Sequence, residues 1–558
     1  MAALEIKNLN FSYPNQDGSG SFRALKDINL KIDNGEFILV CGPSGCGKST
    51  LLRQIKPVLR PFGSVSGQVL IDGRSVDELN FREQTEMVGF VMQNPEMQIV
   101  TDKVWHELAF GLESLGISNA KMRVRVAEIS SYFGIQSFFE SNTSDISGGQ
   151  KQLLCLAAVM AMQPKIILLD EPTSQLDPIA AGEFFSALKR INEEIGTTVI
   201  ITEHRYEGLF SLVDRVAFMN EGRIIGCGRP REAIAALADH PQFKAILPSS
   251  MRLYAEIEPE GVDAPITVRE GRHYLASLTD KGKIGVRKLD ERNIYCPKKN
   301  DAQEAIISVR DCWFRYDRNG PDVLKGFSFD VYPSELTCII GGNGSGKTTA
   351  IMNASGLYKP YRGKVKFKGK DIKSYKNSGF YGKQVSLLVQ NPECCFIKDT
   401  VREELESVCK NFGLNGARLD EIIDLLELKP ILDRHPYDVS GGELQRAAIA
   451  RLMLPGPQVI FLDEATKGMD AFFKRRFGGL LRRLTAGGVS IVLVSHDIEF
   501  CAEFADRCAM FFDGRITAEG SSREVLLDNS FYTTSANRIS RGITESALTV
   551  SELIEIIK

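Results

Sequence analysis

The strongest constraint on this chain is that its sequence states one ordered set of motifs twice. "CGPSGCGKST" at 41–50 returns as "GGNGSGKTTA" at 341–350, an offset between lysines of 347 − 48 = 299. "QNPE" recurs at 390 − 93 = 297, and "ISGGQKQ" (146–152) answers to "VSGGELQR" (439–446) at 440 − 147 = 293. "IILLDEPTSQLD" (166–177) matches "VIFLDEATKGMD" (459–470), and "ITEH" (201–204) matches "LVSH" (493–496). Such order at a period of one domain means tandem duplication, with the drift in offset marking changes in loop length. At 558 residues the chain exceeds a single core, so its fold must be one that half the sequence can build twice.

Each half reads as α/β. Runs such as "FILV" before Gly42, "KIILLD" and "TTVIIT" are apolar without alternation, as expected of parallel strands covered on both faces. "LEIKNLNFSY", "QVLIDG" and "KVKFKG" alternate instead, which predicts an antiparallel piece beside each mainly parallel core. "MVGFVM" and "SLLV" each run into Gln-Asn-Pro, where proline ends the ladder and opens a loop. The expected divisions are 1–245, a spacer at 246–304, 305–530, and a helical tail at 531–558. The spacer holds Pro248, Pro259, Pro265 and Pro297 and one helix start, where Thr267 and Glu270 have capping-box spacing.

Composition excludes several classes. Charged residues at 25% and hydrophobic ones at 43% are those of a soluble globular protein, and a net charge of −3 offers no nucleic-acid or polybasic membrane footprint. No apolar run reaches the roughly 18 residues of a membrane span; the longest, "LLCLAAVMAM" at 153–162, reads as a buried helix. "MAALEIKNLNFSY" does not have the form of a signal peptide. Twelve scattered cysteines without a C-x-x-C pair predict free thiols in a reducing cytoplasm.

"GPSGCGKS" and "GGNGSGKT" both satisfy G-x-x-x-x-G-K-[ST] between an apolar strand and a helical pattern. Glycines let backbone N–H groups converge on phosphate oxygens, and the helix N-terminus adds its positive end. Gly42, Ser44, Gly45, Cys46, Gly47, Lys48, Ser49 and Thr50 form the first such loop. Gly341, Asn343, Gly344, Ser345, Gly346, Lys347, Thr348 and Thr349 form the second. The lysines would reach β- and γ-phosphates, and the hydroxyls of Ser49 and Thr348 would ligate Mg²⁺. Asp170 and Asp463 each end a short apolar strand, a place from which a carboxylate can serve the same Mg²⁺. Glu171 and Glu464 follow directly and can face an attacking water.

With Ser-Gly-Gly placed 170 − 147 = 23 and 463 − 440 = 23 residues before those aspartates, the chain resembles the nucleotide-binding subunits of ABC transporters. The resemblance covers nearly all of it except 246–304 and the tail. It implies two tandem P-loop NTPase domains of the ABC type, each with a helical subdomain, paired head to tail around two ATP. Ser147, Gly148, Gly149 and Gln150 would then face ATP on Lys347, and Ser440, Gly441, Gly442 and Glu443 would face ATP on Lys48. By the same resemblance Tyr13 and Tyr316 stack on adenine, His204 and His496 contact γ-phosphate, and Asp177 and Asp470 belong to the D-loops. Gln93 and Gln390 touch Mg²⁺ and the attacking water. Glu443 in place of the usual glutamine, and "TKGMD" in the second D-loop, depart from the pattern and could make the sites unequal. Cys46 inside the first phosphate loop leads to the expectation that a thiol reagent blocks hydrolysis.

The implied function is ATP hydrolysis at the cytoplasmic face of the membrane, driving transmembrane importer subunits and a separate substrate-binding membrane component, with no nucleic acid. "QNPEMQIVTDKVWHELAFGLE" and "PITVREGR" resemble the energy-coupling-factor importers of vitamins, vitamin precursors and metals. Sugar-type importer ATPases commonly carry one degraded site, whereas both are intact here. Ribosome-associated tandem ATPases have a charged helical arm, which 246–304 lacks. DNA-repair relatives would need zinc-type cysteine pairs or a long coiled coil. Glu96, Asp102 and Glu107, with Glu393, Asp399 and Glu403, are expected to ring two acidic grooves suited to a partner's arginines.

Overall fold

The computed structural model describes residues 2–14, 20–237, 240–257, 263–282, 284–285, 304–375, 380–439, 441–544 and 546–557. The chain divides into two compact units, Met1–Gly271 and Arg272–Lys558. Of the spacer, residues 258–262, 283 and 286–303 lie outside the described set, Pro259 and Pro297 among them.

In the first unit a six-stranded sheet runs in the order Arg223–Gly228, Arg215–Asn220, Phe37–Cys41, Thr198–Thr202, Ile166–Asp170, Val88–Val91. All neighbours are parallel except the Arg223–Gly228 edge strand. Four of these strands are buried at every residue, as their unbroken apolar sequences require. The alternating segments form a separate antiparallel sheet, ordered Ser21–Asp33, Ala2–Pro14, Ser64–Ile71, Arg74–Ser75.

The helix Lys48–Ile55 lies in one core with both sheets. Leu51, Leu52 and Ile55 share a cluster with Ile6, Phe11 and Ile32 of the antiparallel sheet and with Ile38, Ile166 and Ile200 of the parallel one. Burying such aliphatic side chains stabilises by about 1.5–3 kcal/mol each, which anchors the loop just before this helix. Helices Val104–Ser114, Asn119–Tyr132 and Gly148–Ala161 supply the helical part, and "LLCLAAVMAM" falls in the last of them and just beyond.

The second unit repeats the plan. Its sheet runs Val385–Leu388, Val459–Asp463, Ser490–Val494, Leu336–Ile340, Arg507–Phe512, Arg515–Ser521, and the antiparallel sheet runs Leu324–Val331, Ile307–Phe314, Arg362–Phe367, Lys370–Asp371. Ala350 and Ile351 of helix Lys347–Ala354 pack with Val309, Phe367, Ile339 and Phe461 of the two sheets. Short helices occupy Ser249–Ile257 and Val268–Asp280 in the spacer region and Ser535–Ser540 and Val550–Ile557 near the C-terminus. Thr267 does accept from the Glu270 N–H at 3.1 Å, while the Glu270 carboxylate reaches back to Ile266 N–H at 2.8 Å. None of the eleven described cysteines forms a disulfide.

Parallel strands leave their carboxyl ends at one edge, where ligands of open α/β sheets bind. That edge collects the loop after Cys41, the end of Ile166–Asp170, the residues after Thr202 and the residues after Val91.

Candidate active sites

The phosphate loops owe their shape to glycine. A Cβ on Gly42 would stand 2.2 Å from the Met219 carbonyl oxygen, and one on Gly341 would stand 2.4 Å from that of Phe511. Gly47 and Gly346 hold φ of 106° and 104°, a region side chains disfavour. The loops are pinned from outside by Gly222 N–H donating to Cys46 O at 3.0 Å and Gly514 N–H donating to Ser345 O at 3.3 Å. Neither following helix has a side-chain cap, so its first N–H groups face the loop. Lys48 Nζ donates to Gly42 O (2.9 Å) and Pro43 O (3.1 Å), and Lys347 Nζ to Gly341 O (3.0 Å) and Gly342 O (2.8 Å). Ser44, Gly45, Asn343 and Gly344 form the exposed crowns. Thr50 and Thr349 turn their hydroxyls to Tyr13 Oη (3.0 Å) and Tyr316 Oη (2.9 Å), which fixes each aromatic ring beside its loop.

Asp170 ends its strand with Oδ1 accepting from Ser49 Oγ (2.8 Å) and Thr202 Oγ1 (2.9 Å). Burial pushes its pKa up, and the neighbouring Glu171 adds to this against those two hydrogen bonds. Asp463 is pushed up to about 6, chiefly by burial and further by Glu464, although the Thr348 hydroxyl bond and Lys347 oppose. Its Oδ1 is a buried oxygen without a hydrogen-bond partner. Two hydroxyl-tethered, desolvated aspartates are a donor set that a small divalent cation would discharge.

Glu171 and Glu464 have φ of 45° and 49°, outside the usual range for a side-chain-bearing residue. Backbone bonds to Thr202 O (3.0 Å) and Val494 O (2.9 Å) hold them there. The Glu171 carboxylate receives Gln93 Nε2 at 3.0 Å on one oxygen and faces His204 Nε2 at 2.8 Å on the other. Glu464 faces His496 Nδ1 at 3.5 Å and Lys467 Nζ at 3.8 Å. Burial would raise its pKa, but His496, Lys467 and Lys347 together bring it down to about 2. Gln390 is exposed at the matching strand end.

Ser147 caps the helix Gly148–Ala161 in a reciprocal box with Gln150, at 3.3 and 2.8 Å. A Cβ on Gly148 or Gly441 would meet nothing within 4 Å, so packing does not demand glycine there. One on Gly149 would stand 3.2 Å from Ala180, and one on Gly442 3.5 Å from Phe473. Glu443 sits in the first turn of Gly441–Met453, and Ser440 lies outside the described residues. Asp177 and Asp470 cap the helices Pro178–Arg190 and Ala471–Ala486 by accepting from Ala180 N–H (2.8 Å) and Phe473 N–H (2.7 Å).

Two expectations need correction. Glu107 does not line a surface groove: it is 6% exposed and accepts from Val100 N–H, Thr101 N–H and Thr101 Oγ1 at 3.1, 2.9 and 3.0 Å. Its counterpart is Glu404, also buried, which accepts from Ile397 and Lys398 N–H and from Arg451, whereas Glu403 is exposed. Both acids lock the loop after Gln-Asn-Pro. Glu96 pairs with Lys151, leaving Asp102 the exposed acid of the first set without an ion pair among the described residues. Cys46 is 5% exposed and packs under Gly42, so the exposed Cys227 and Cys394 are the first targets of a thiol reagent.

Lys467, from the divergent "TKGMD", comes to 3.8 Å from Glu464, and Thr202 and Glu203 join the first site although neither was expected there. Glu203 is fully buried, with Oε1 accepting from Thr173 N–H (2.8 Å) and Thr173 Oγ1 (2.7 Å) and Oε2 from His204 N–H. Burial raises its pKa, partly offset by those Thr173 bonds. The signal was the polar T-E following an apolar strand, beside the motif histidine.

Two glycine-shaped loops at uncapped helix starts, each with an Asp-Glu pair at the same sheet edge, define a P-loop nucleoside triphosphatase with two sites. The chain belongs to the ABC transporter family, whose profile matches residues 25–174 and 324–467, and it is an ATP-binding ATPase of that family. It is 38% identical over 557 residues to a Bacillus anthracis protein named an ABC transporter ATP-binding protein, covering 100% of this chain and 98% of the relative. A Methanosarcina acetivorans protein of the same name is 32% identical, covering 94% of this chain and 86% of its own length. Among solved structures, CbiO1 from Clostridium perfringens, described as part of the ABC transporter complex CbiONQ, is 32% identical over 44% of this chain and 94% of its own, with a TM-score of 0.38.

Proposed function

We propose that the chain is the ATP-hydrolysing motor of a membrane importer of the energy-coupling-factor type, serving a vitamin, a vitamin precursor or a metal ion. The docking part of this reading rests on one observation, the apolar surface beside the Gln-Asn-Pro loops. Met97 and Val100 are 76% and 68% exposed, with Trp105 and Phe110 exposed on the next helix, and Ile397 is 83% exposed in the second half. Exposed apolar side chains following the Gln-Asn-Pro loop in both halves support a contact with another chain there. The spanning subunits, and a separate substrate-binding membrane component, would be that partner, with this chain peripheral at the cytoplasmic face. Among the described residues no helix is long and apolar enough to cross a membrane.

In each half the ammonium of Lys48 or Lys347 would exchange loop carbonyls for phosphate oxygens, with adenine on Tyr13 or Tyr316. Ser49, Asp170 and Gln93, and Thr348, Asp463 and Gln390, would hold Mg²⁺; the unpartnered Asp463 oxygen and the two desolvated aspartates fit that ion. When bound, Mg²⁺ neutralises charge on the phosphate oxygens. Glu171 and Glu464 would take the proton of the attacking water, oriented by His204 and His496. Ser147, Gly148, Gly149 and Gln150, with Ser440, Gly441, Gly442 and Glu443, would present helix N-terminal N–H groups to a γ-phosphate. Head-to-tail pairing of the halves, implied by the family resemblance, belongs to this proposal.

The test uses the chain reconstituted with the membrane subunits that co-purify with it. Gln93→Ala with Gln390→Ala should lose coupled transport, with hydrolysis slowed as well because each change removes a proposed Mg²⁺ ligand. Glu171→Gln with Glu464→Gln should bind ATP and lose hydrolysis by about 10²–10⁴-fold. Normal coupled transport in the Gln93→Ala, Gln390→Ala variant would sink the docking assignment. A chain that pellets with ribosomes and retains no membrane subunit would overturn the importer reading.

A further inference from the structure

The two glutamates share backbone conformation and backbone anchors, yet different groups face their carboxylates. Three residues beyond Glu171 is Ser174, and three beyond Glu464 is Lys467. Both N–H groups bond back to their glutamate's carbonyl, Ser174 at 3.2 Å and Lys467 at 3.0 Å, so the turn is the same and the side chain alone differs. Lys467 brings its ammonium to 3.8 Å from Glu464 Oε2, with the lysine side chain only 16% exposed. At that same position on Glu171 the partner is the neutral amide of Gln93, at 3.0 Å. The histidine contact also loosens, from 2.8 Å at His204 to 3.5 Å at His496.

Behind these groups the charge pattern reverses as well. Thr173 hydrogen-bonds the buried carboxylate of Glu203, whereas its equivalent Thr466 meets the hydroxyl of Ser495 at 3.0 Å. The first glutamate therefore has a second, buried carboxylate behind it; the second has an ammonium beside it and no such acid at the matching place. An ion pair in a poorly solvated pocket is not dissipated by water, and the full charge of an ammonium holds a carboxylate against an incoming water more strongly than the neutral amide that Gln93 offers Glu171.

We propose that Lys467 is a positioning residue that makes the second half the slower hydrolytic site, by holding Glu464 in an ion pair Ser174 cannot offer Glu171. This rests on the reading of Glu171 and Glu464 as the groups that receive the proton of the attacking water.

The experiment is a single-turnover quench of the full chain in its transporter complex, loaded with Mg²⁺ and two ATP per chain. Wild type should release ADP in two phases of equal amplitude, the slower by about tenfold. Lys467→Ser and Lys467→Met should speed the slow phase until the two merge, leaving the affinity for a fluorescent ATP analogue unchanged. Lys467→Arg should keep the slow phase, and Ser174→Lys should slow the fast one. Damage to the fold does not raise a rate, so acceleration by two unlike neutral residues separates charge from structure. A single phase in wild type, or a slow phase indifferent to Lys467→Ser and Lys467→Met, overturns the proposal. If instead Glu464→Gln leaves the slow phase intact, the base assignment itself has failed.

Discussion

Replacing Asp463 by asparagine should make the second unit more stable in the absence of nucleotide, although it should disable Mg²⁺-dependent hydrolysis there. Burial and the neighbouring Glu464 raise the pKa of this carboxyl from 3.8 to about 6. At about 1.36 kcal/mol per unit, a rise of about 2 units withholds about 3 kcal/mol of stability. The sign follows from the raised folded pKa: the penalty is absent below the unfolded value of 3.8, grows as pH rises, and is complete above about 6. Asparagine carries no charge and keeps an acceptor for the Thr348 hydroxyl. At pH 7.5 the variant should gain up to about 3 kcal/mol, or on the order of 5–10 °C in the transition of a unit this size. At pH 4 the gain should shrink towards zero, because folded Asp463 is then largely protonated and has little charge for asparagine to remove. Calorimetry at the two pH values, with hydrogen exchange on the strand Val459–Asp463 to assign the transition, measures this. Mg²⁺ and ATP together should narrow or reverse the difference by stabilising the second unit of the wild type more than that of the variant. An asparagine variant no more stable than wild type at pH 7.5, or a gain equally large at pH 4, would refute the reasoning.

Two further substitutions probe the same edge. Gly42→Ala would drive a methyl to 2.2 Å from the Met219 carbonyl, so the loop must shift; ATP binding by the first half should fall at least tenfold while Gly341 and the second half are untouched, as nucleotide titration would show. Glu107→Ala removes the acceptor for two backbone N–H groups and one hydroxyl, at about 1–3 kcal/mol for each buried donor left unpaired. Hydrogen exchange at Val100 and Thr101 should quicken, and ATP-driven transport should fall further than ATP hydrolysis.

Much of this was legible in the sequence because the carriers are local. Unbroken apolar runs marked the parallel strands, alternation marked the antiparallel sheet, and glycine and lysine spacing marked the phosphate loops. What escaped depends on partners far along the chain. Glu107 looks like any acid in the first turn of a helix; only tertiary packing turns it inward on to Val100 and Thr101. Cys46 is read as part of a loop open to reagents, whereas the contact of that loop with the Gly222 turn buries it. Glu203 is one residue from a recognised histidine, yet its role depends on Thr173, 30 residues earlier. The hydroxyl contacts that seat Tyr13 on Thr50 and Tyr316 on Thr349 likewise join residues no periodicity connects.

The covalent duplication has a consequence beyond economy of design. In an assembly of two identical cassettes, any lysine introduced beside one glutamate appears beside both, and symmetry forbids a division of labour. Separate genes for two cassettes escape that symmetry, but then expression must be matched and like-with-like assembly prevented. A single chain bearing Ser174 in one copy and Lys467 in the other delivers the unequal pair in every molecule, at a stoichiometry set by translation alone.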